Sequence, residues 1–380
     1  MKSLHSRSPK ILFCSNPECP NHSHAPPPGW YIRFGSYRTA LSEKIPRYRC
    51  KTCGRTFSSQ TFSIDYFAKR MLSYPKLFRL LVSCTSIRDL SRIFACSTGT
   101  IANKTSRLAR QMMVLHGCLS SKPIIPDEFV IDGFENFTVS QYFPNSISLL
   151  AGKSTQFLYD LSYITLRRKG IMTEAQTRLR SILETQAKPP SSTQLKLSFR
   201  SLLDTMLTLS GRTFPLVLHT DEHLTYLRVL TRSPHYRLLC ASGVLQHHRT
   251  SSKKARTVNN PLFSANYIDR ELRKQLKECV RETLCFGRNV NNAMERMVIY
   301  RGYHNYVKPF RQKKASLTHG EAAGIGRREI RKEVRRWFSL RAFFSLQEQN
   351  LLPNDRLLWF RSLKTPLKRR EEYIPCYVYG

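Results

Sequence analysis

FPLVLHTDEH, residues 214–223, decides how the middle of this chain is read. Its apolar run suits a buried strand, and the run ends abruptly in His219, Thr220, Asp221, Glu222 and His223. A strand tip meeting water accounts for polar side chains there. A divalent cation accounts for them as well. The chain has 26 acidic residues against 62 basic ones, so a carboxylate pair at the tip of an apolar strand asks for the second explanation to be tested.

Working outward, EFVIDGFENF (128–137) is a strand of the same kind, with Asp132 directly after Phe129, Val130 and Ile131. FLYDLSYITL (157–166) alternates apolar and polar residues as another strand should. If the strands of Asp132 and Asp221 are neighbours, their carboxylates converge, and a hard divalent cation compensates them. Glu295 is the third candidate. On a helix through NNAMERMVIYRGYHNYV (291–307) it shares a face with Asn291, Asn292, Ile299 and Gly302, beside an apolar stripe of Val290, Met294, Met297 and Val298. Two strand acids and one helix acid can hold a pair of Mg2+ ions about 4 Å apart. Glu135 and Glu222 adjoin the two aspartates and compete with them, and Glu282 is an alternative third acid. Most remaining acids fall on Lys/Arg-rich helices, where a solvated salt bridge is the ordinary reading.

Residues 167–184, 195–209 and 266–284 read as helices, and HYRLLC (235–240) as a further strand. The fold class is therefore α/β, a mixed sheet flanked by helices. Upstream, Cys14 and Cys19 bracket SNPE, and RYRCKTCGRTF supplies Cys50 and Cys53. Two close pairs can fold as knuckles around one structural Zn2+, with Gly54 making the tight turn and Arg55 and Phe57 opening a strand. His22 and His24 are the other ligand types at hand. SIRDLSRIFACSTGTIANKTSRLARQM (86–112) has the proportions of a helix-turn-helix, with Asn103, Lys104, Ser106, Arg107 and Arg110 between the apolar positions of its second helix. Such side chains suit phosphates and base edges in a major groove.

The formal net charge of +36 runs through nearly every segment, which points to a long polyanion as partner. Ribosomal proteins carry comparable charge but are shorter and poorer in core. No apolar stretch approaches the roughly 18 residues of a membrane span. The start of the chain shows no signal-peptide pattern, and the cysteines outside the two pairs form no disulfide framework. A cytoplasmic protein associated with the nucleoid is expected. The stretch beyond residue 311 is basic and partly helical, with arginines expected on every face and phosphate neutralisation as its simplest use.

The ordered set RYRCKTCGRTFS, VIDGFENF, RRKGIMTEAQ, LVLHTDEH and NNAMERMVIYRGYHNYVKPF resembles the DDE transposases of bacterial insertion sequences. These are RNase H-like enzymes of the integrase superfamily, with a zinc ribbon and helix-turn-helix ahead of the catalytic core. The likeness spans most of residues 14–310. It implies a zinc ribbon at 1–62, a helix-turn-helix DNA-binding domain at 63–122, an RNase H-like catalytic domain at 123–310 and a basic C-terminal helical region at 311–380. It further implies that Asp132, Asp221 and Glu295 bind Mg2+ or Mn2+ for cleavage and strand transfer on double-stranded DNA, by a homo-oligomer on element ends. Glu295 is preferred to Glu282 for its NxxER setting, and the long interval after Asp221 leaves room for the basic insertion HHRTSSKKAR, with Arg249, Lys253 and Lys254, as a DNA-contacting loop. No nucleotide cofactor is expected, since no GxxxxGK[ST] loop is present. The rival reading is a transposon-derived, sequence-specific DNA-binding protein without catalysis; a zinc-ribbon RNA-binding factor is a third.

Overall fold

The computed structural model describes residues 13–39, 42–210, 214–311 and 316–379. The first twelve residues, where no signal peptide is expected, lie outside them. After a short helix α1 (Pro20–Ser23), strands β1 (Tyr31–Thr39) and β2 (Ser42–Cys50) pair antiparallel, and β3 (Thr56–Ser58) completes a three-stranded sheet. Gly54 turns the chain ahead of β3 at φ +71°, a conformation that disfavours a side chain. Trp30, Phe57, Phe62 and Phe343 bury one another beside three of the cysteines, giving this part a small core of its own.

Helices α2 (Tyr74–Leu81), α3 (Ile87–Ile93) and α4 (Thr98–Leu119) follow. Each begins at a serine, Ser73, Ser86 or Ser97, whose side chain accepts a first-turn N–H. α4 is longer than a groove-reading helix requires. Leu108, Ala109, Met112, Met113, Val114 and Leu115 are all buried, and a helix apolar around most of its circumference belongs in a core.

Strands β4 (Phe129–Phe137), β5 (Pro144–Gly152) and β6 (Leu158–Thr165) form an antiparallel meander. β7 (Leu216–Asp221) joins β4 in parallel and β8 (Leu245–Thr250) joins β7 in parallel, so the mixed five-stranded sheet runs β6-β5-β4-β7-β8. Parallel neighbours need crossover connections. α5 (Glu174–Gln186) and α6 (Gln194–Leu209) lead to β7, and α7 (Leu224–Arg232) and α8 (Pro234–Ala241) lead to β8. HYRLLC is therefore helix α8 and not a strand: Pro234 sits in its first turn, where a fixed φ and a missing N–H cost nothing. The strand position goes to LQHHRT, part of which was expected to be inserted loop.

The sheet is covered on both faces. Phe199, Leu202, Leu203 and Met206 of α6 bury one face, where Ser198 donates to Ser148 Oγ at 3.2 Å. α9 (Phe263–Gln275) lies on the other, with Ala265 beside Val130. α10 (Val290–Tyr306) packs along α4, and α11 (His319–Ala322), α12 (Arg327–Trp337), α13 (Phe344–Gln347) and α14 (Pro353–Trp359) complete the chain. Trp337, Trp359 and Val378 share one core with Leu77, Leu108 and Leu149, so the C-terminal segment is structural as well as basic. Arg301 of α10 is fully buried between Asp355, at 2.6 Å, and Asp160, at 3.7 Å. Among the described residues no helix is long and apolar enough to cross a membrane.

Candidate functional site

Two turns bring Cys14, Cys19, Cys50 and Cys53 together, with all four sulfur atoms within 4.8 Å of one another. Cys14 Sγ lies 3.5 Å from Cys53 Sγ, and Cys19 Sγ 3.9 Å from Cys50 Sγ. Four thiolates on one Zn2+ would stand roughly 3.8 Å apart, so the set can hold a structural metal such as zinc. The Asn16 N–H and the Asn21 amide point donors at Cys14 Sγ and Cys50 Sγ, at 3.5 and 3.6 Å. Burial pushes the Cys14 and Cys19 thiols up, and a bound cation is what allows such buried sulfurs to ionise together. His22 is not a ligand: its ring nitrogens face the Cys14 carbonyl at 2.6 Å and Ser345 Oγ at 2.7 Å. His24 is exposed.

At the sheet, β4 and β7 pair with Phe129 level with Leu218 and Val130 level with His219. Two residues further along each strand, on the same face, stand Asp132 and Asp221. Burial pushes the Asp132 carboxyl up to about 6, and the Asp221 carboxylate adds to the rise, which the Gly133 N–H opposes. One oxygen of each acid is pinned by a backbone N–H, Gly133 to Asp132 Oδ1 at 2.8 Å and His223 to Asp221 Oδ1 at 3.0 Å. A third carboxylate reaches this neighbourhood from α9. Asp269 Oδ1 is buried with no hydrogen-bond partner among the described residues. Burial, then the charge of Asp132, push Asp269 up to about 7, while Arg273 and Arg256 oppose the rise.

In the sequence Asp269 lies in DRELRK, which reads as a solvated basic helix. The signal was present: Asp269 follows Ala265 by four residues and Ile268 by one and precedes Leu272 by three, and all three are buried. The carboxylates are not drawn as tightly as the sulfurs. Among the described residues only the cysteine set gathers three or more such ligand atoms within 4.8 Å. β4 stays paired through Phe137, so Glu135 faces the opposite side and is exposed. Glu222 is also exposed, its carbonyl accepting from Arg249 at 3.0 Å.

Glu295 lies elsewhere. It accepts from Ser106 Oγ at 2.7 Å and pairs with Arg361 at 2.5 Å, between α4 and the C-terminal segment. The NxxER pattern has a structural use here, because Asn292 also accepts from Arg361 and Arg296 pairs with buried Glu278 at 3.0 Å. Glu282 is exposed, in a turn at φ +53°.

The expected groove-reading face of α4 is corrected as well. Asn103 is exposed, but Lys104 is buried on Asp65, and Arg107 donates to the Ile64 and Tyr66 carbonyls at 2.9 and 2.7 Å. Arg110 donates to the Trp359 carbonyl at 3.0 Å, and Ser106 is engaged with Glu295. These side chains are drawn inward because α4 is a core helix, and a buried cation must find acceptors within the protein. Arg249, Lys253 and Lys254 are exposed at the end of β8 and in the loop to α9, the loop that also carries Arg256 near Asp132 and Asp269. A second cationic surface lies on the three-stranded sheet, where exposed Phe34 carries Arg49 at 4.7 Å and Arg47 at 5.6 Å from its ring centre.

The histidines near these elements have structural partners. His219 meets Glu128 and stacks on His248, and His223 caps α7. His304 stacks on His319 at 3.9 Å, while Asn305 clamps the Leu158 backbone at 2.8 and 2.9 Å. Comparison with protein-family models and with curated proteins finds no match to this chain.

Proposed function

We propose that the protein is a DDE-type DNA transposase whose third carboxylate is Asp269. The observation that carries the reading is the placing of Asp132 and Asp221 at level positions of two parallel strands, with the unpartnered oxygen of Asp269 on the helix covering that face. The strand order, three antiparallel strands joined to two parallel ones, supports an RNase H-like core. The α3–turn–α4 pair supports a helix-turn-helix whose second helix is built into the body and offers its first two turns, with Asn103 in the second, to DNA.

Asp132, Asp221 and Asp269 would hold Mg2+ or Mn2+. A bound pair of such ions supplies an activated oxygen nucleophile and charge relief at the leaving oxygen. The chain's own part is to fix the carboxylates: the Gly133 and His223 N–H groups hold one oxygen of Asp132 and of Asp221 in place. Arg249, Lys253, Lys254 and Arg256 give the phosphodiester backbone a cationic approach to the same end of the sheet. Duplex DNA, as element ends and target, is the partner in this reading, and a homo-oligomer on DNA is the working form.

The test is cleavage of duplex DNA carrying the ends of the protein's own genomic element, with Mg2+, Mn2+ or EDTA. Metal-dependent 3′ nicking and strand transfer are expected in the wild type and in Glu295→Gln, and are lost in Asp221→Ala and Asp269→Asn. A folded Glu295→Gln without activity beside an active Asp269→Asn would return the third position to Glu295. End binding without cleavage in every metal would leave a sequence-specific DNA-binding protein.

A further inference from the structure

Along α12, Arg327, Arg328, Arg331, Lys332, Arg335 and Arg336 recur at i, i+1, i+4, i+5, i+8 and i+9, and all six are exposed. That spacing lines them along one side of the helix. The other side, with Ile330, Glu333 and Trp337, is buried, and the helix packs on α4. The arginines expected on every face are thus sorted by the fold into a single stripe. Arg327 pairs with Glu321 and Arg336 approaches Glu333 at 3.7 Å, whereas Arg328, Arg331, Lys332 and Arg335 have no acid partner among the described residues.

We propose that α12 is a rail for the phosphate backbone of duplex DNA, a contact distinct from the carboxylates and from the exposed start of α4. Its cationic pairs recur about every 6 Å and span about 14 Å, the axial length of about four base pairs. Uncompensated like charge on a rigid, core-anchored helix is complementary to a regular polyanion and loses little side-chain packing when one binds. A membrane surface is the poorer partner, because an interfacial helix inserts its apolar face and here that face is already buried in protein. The chain also runs from α12 straight into the base of the cysteine-rich sheet: Ile64 N–H donates to the Ser339 carbonyl at 3.0 Å and Arg341 N–H to the Phe62 carbonyl at 2.8 Å. The rail is therefore fixed to the element that carries Phe34, Arg47 and Arg49. It adds a contact to the transposase reading without resting on cleavage.

The experiment measures equilibrium binding of full-length protein to a short random-sequence duplex in EDTA across a salt series. The quadruple variant R328Q/R331Q/K332Q/R335Q is compared with K188Q/R228Q/R232Q/R237Q, which removes the same charge from exposed positions elsewhere. Each lost phosphate contact flattens the plot of log affinity against log salt by about 0.9, so a slope shallower by about 2–4 is expected for the α12 variant alone, with wild-type melting and zinc content. Equal slopes in the two variants would reduce the effect to net charge and overturn the rail. So would unchanged DNA binding alongside lost binding to vesicles of anionic lipid, which would make α12 a lipid contact.

Discussion

Asp269 and Glu295 both lie on helices rich in basic residues, and what each can do follows from the groups it meets. Glu295 is compensated by Arg361 and Ser106, whereas Asp269 keeps a buried oxygen without a donor. Mn2+ should therefore raise the melting temperature of the wild type and of Glu295→Gln, and leave Asp269→Asn unmoved, because only a state that binds the ion is stabilised by it. Arg301 presents the opposite case, a cation with no exposure between two buried acids. Arg301→Ala should cost about 3–5 kcal/mol by denaturant titration, since it leaves two buried acids, Asp160 and Asp355, without their shared cation. Glu372 sets a pH dependence. Burial would raise its carboxyl, but Lys368, Asn289 and Arg361 outweigh it and bring it from 4.5 to about 2. A carboxyl lowered by folding adds stability that is fully present above its unfolded value and is lost as the pH falls through its folded value. Wild-type melting temperature should thus drop more steeply than that of Glu372→Gln as the pH falls from 4.5 towards about 2.

The cysteine-rich sheet keeps its aromatic and thiol core apart from the main core. Chelation of a structural metal, or Cys50→Ser, should consequently melt this element at lower temperature, followed by far-UV and aromatic signals, while the principal transition moves little. Helix α4 is held by contact instead. A methyl group on Gly117 would lie 2.4 Å from the Asn350 carbonyl oxygen, a backbone atom that cannot rotate away. Gly117→Ala should destabilise by about 1–3 kcal/mol in spite of its better helix propensity. The helix-turn-helix proportions of residues 86–112 made α3 and α4 readable in the sequence. The inward turn of Lys104, Arg107 and Arg110 was not readable, because it depends on Asp65, Ile64 and Trp359, which are distant in the chain. HYRLLC differs for a related reason: a short segment of mixed apolar and polar residues suits a strand or a helix, and only the parallel pairing of β7 with β8 placed it in the crossover between them.

Across the whole molecule, exposed cations of this +36 chain gather on surfaces that different elements supply, among them the face around Phe34, the loop before α9 and the stripe of α12. Local charge pattern made the expectation of a polyanion partner legible, and the apolar runs leading into Asp132 and Asp221 made the expectation of a carboxylate site legible, since both are properties of short segments. So was the set of four cysteines, whose spacing needs only two turns to close. Only the tertiary structure decided which third acid comes near those two, which cations face solvent, and that the C-terminal segment completes the core. Those outcomes depend on which elements pack together, and a side chain on a helix becomes a ligand, a buried pair or a surface charge according to what is set against it.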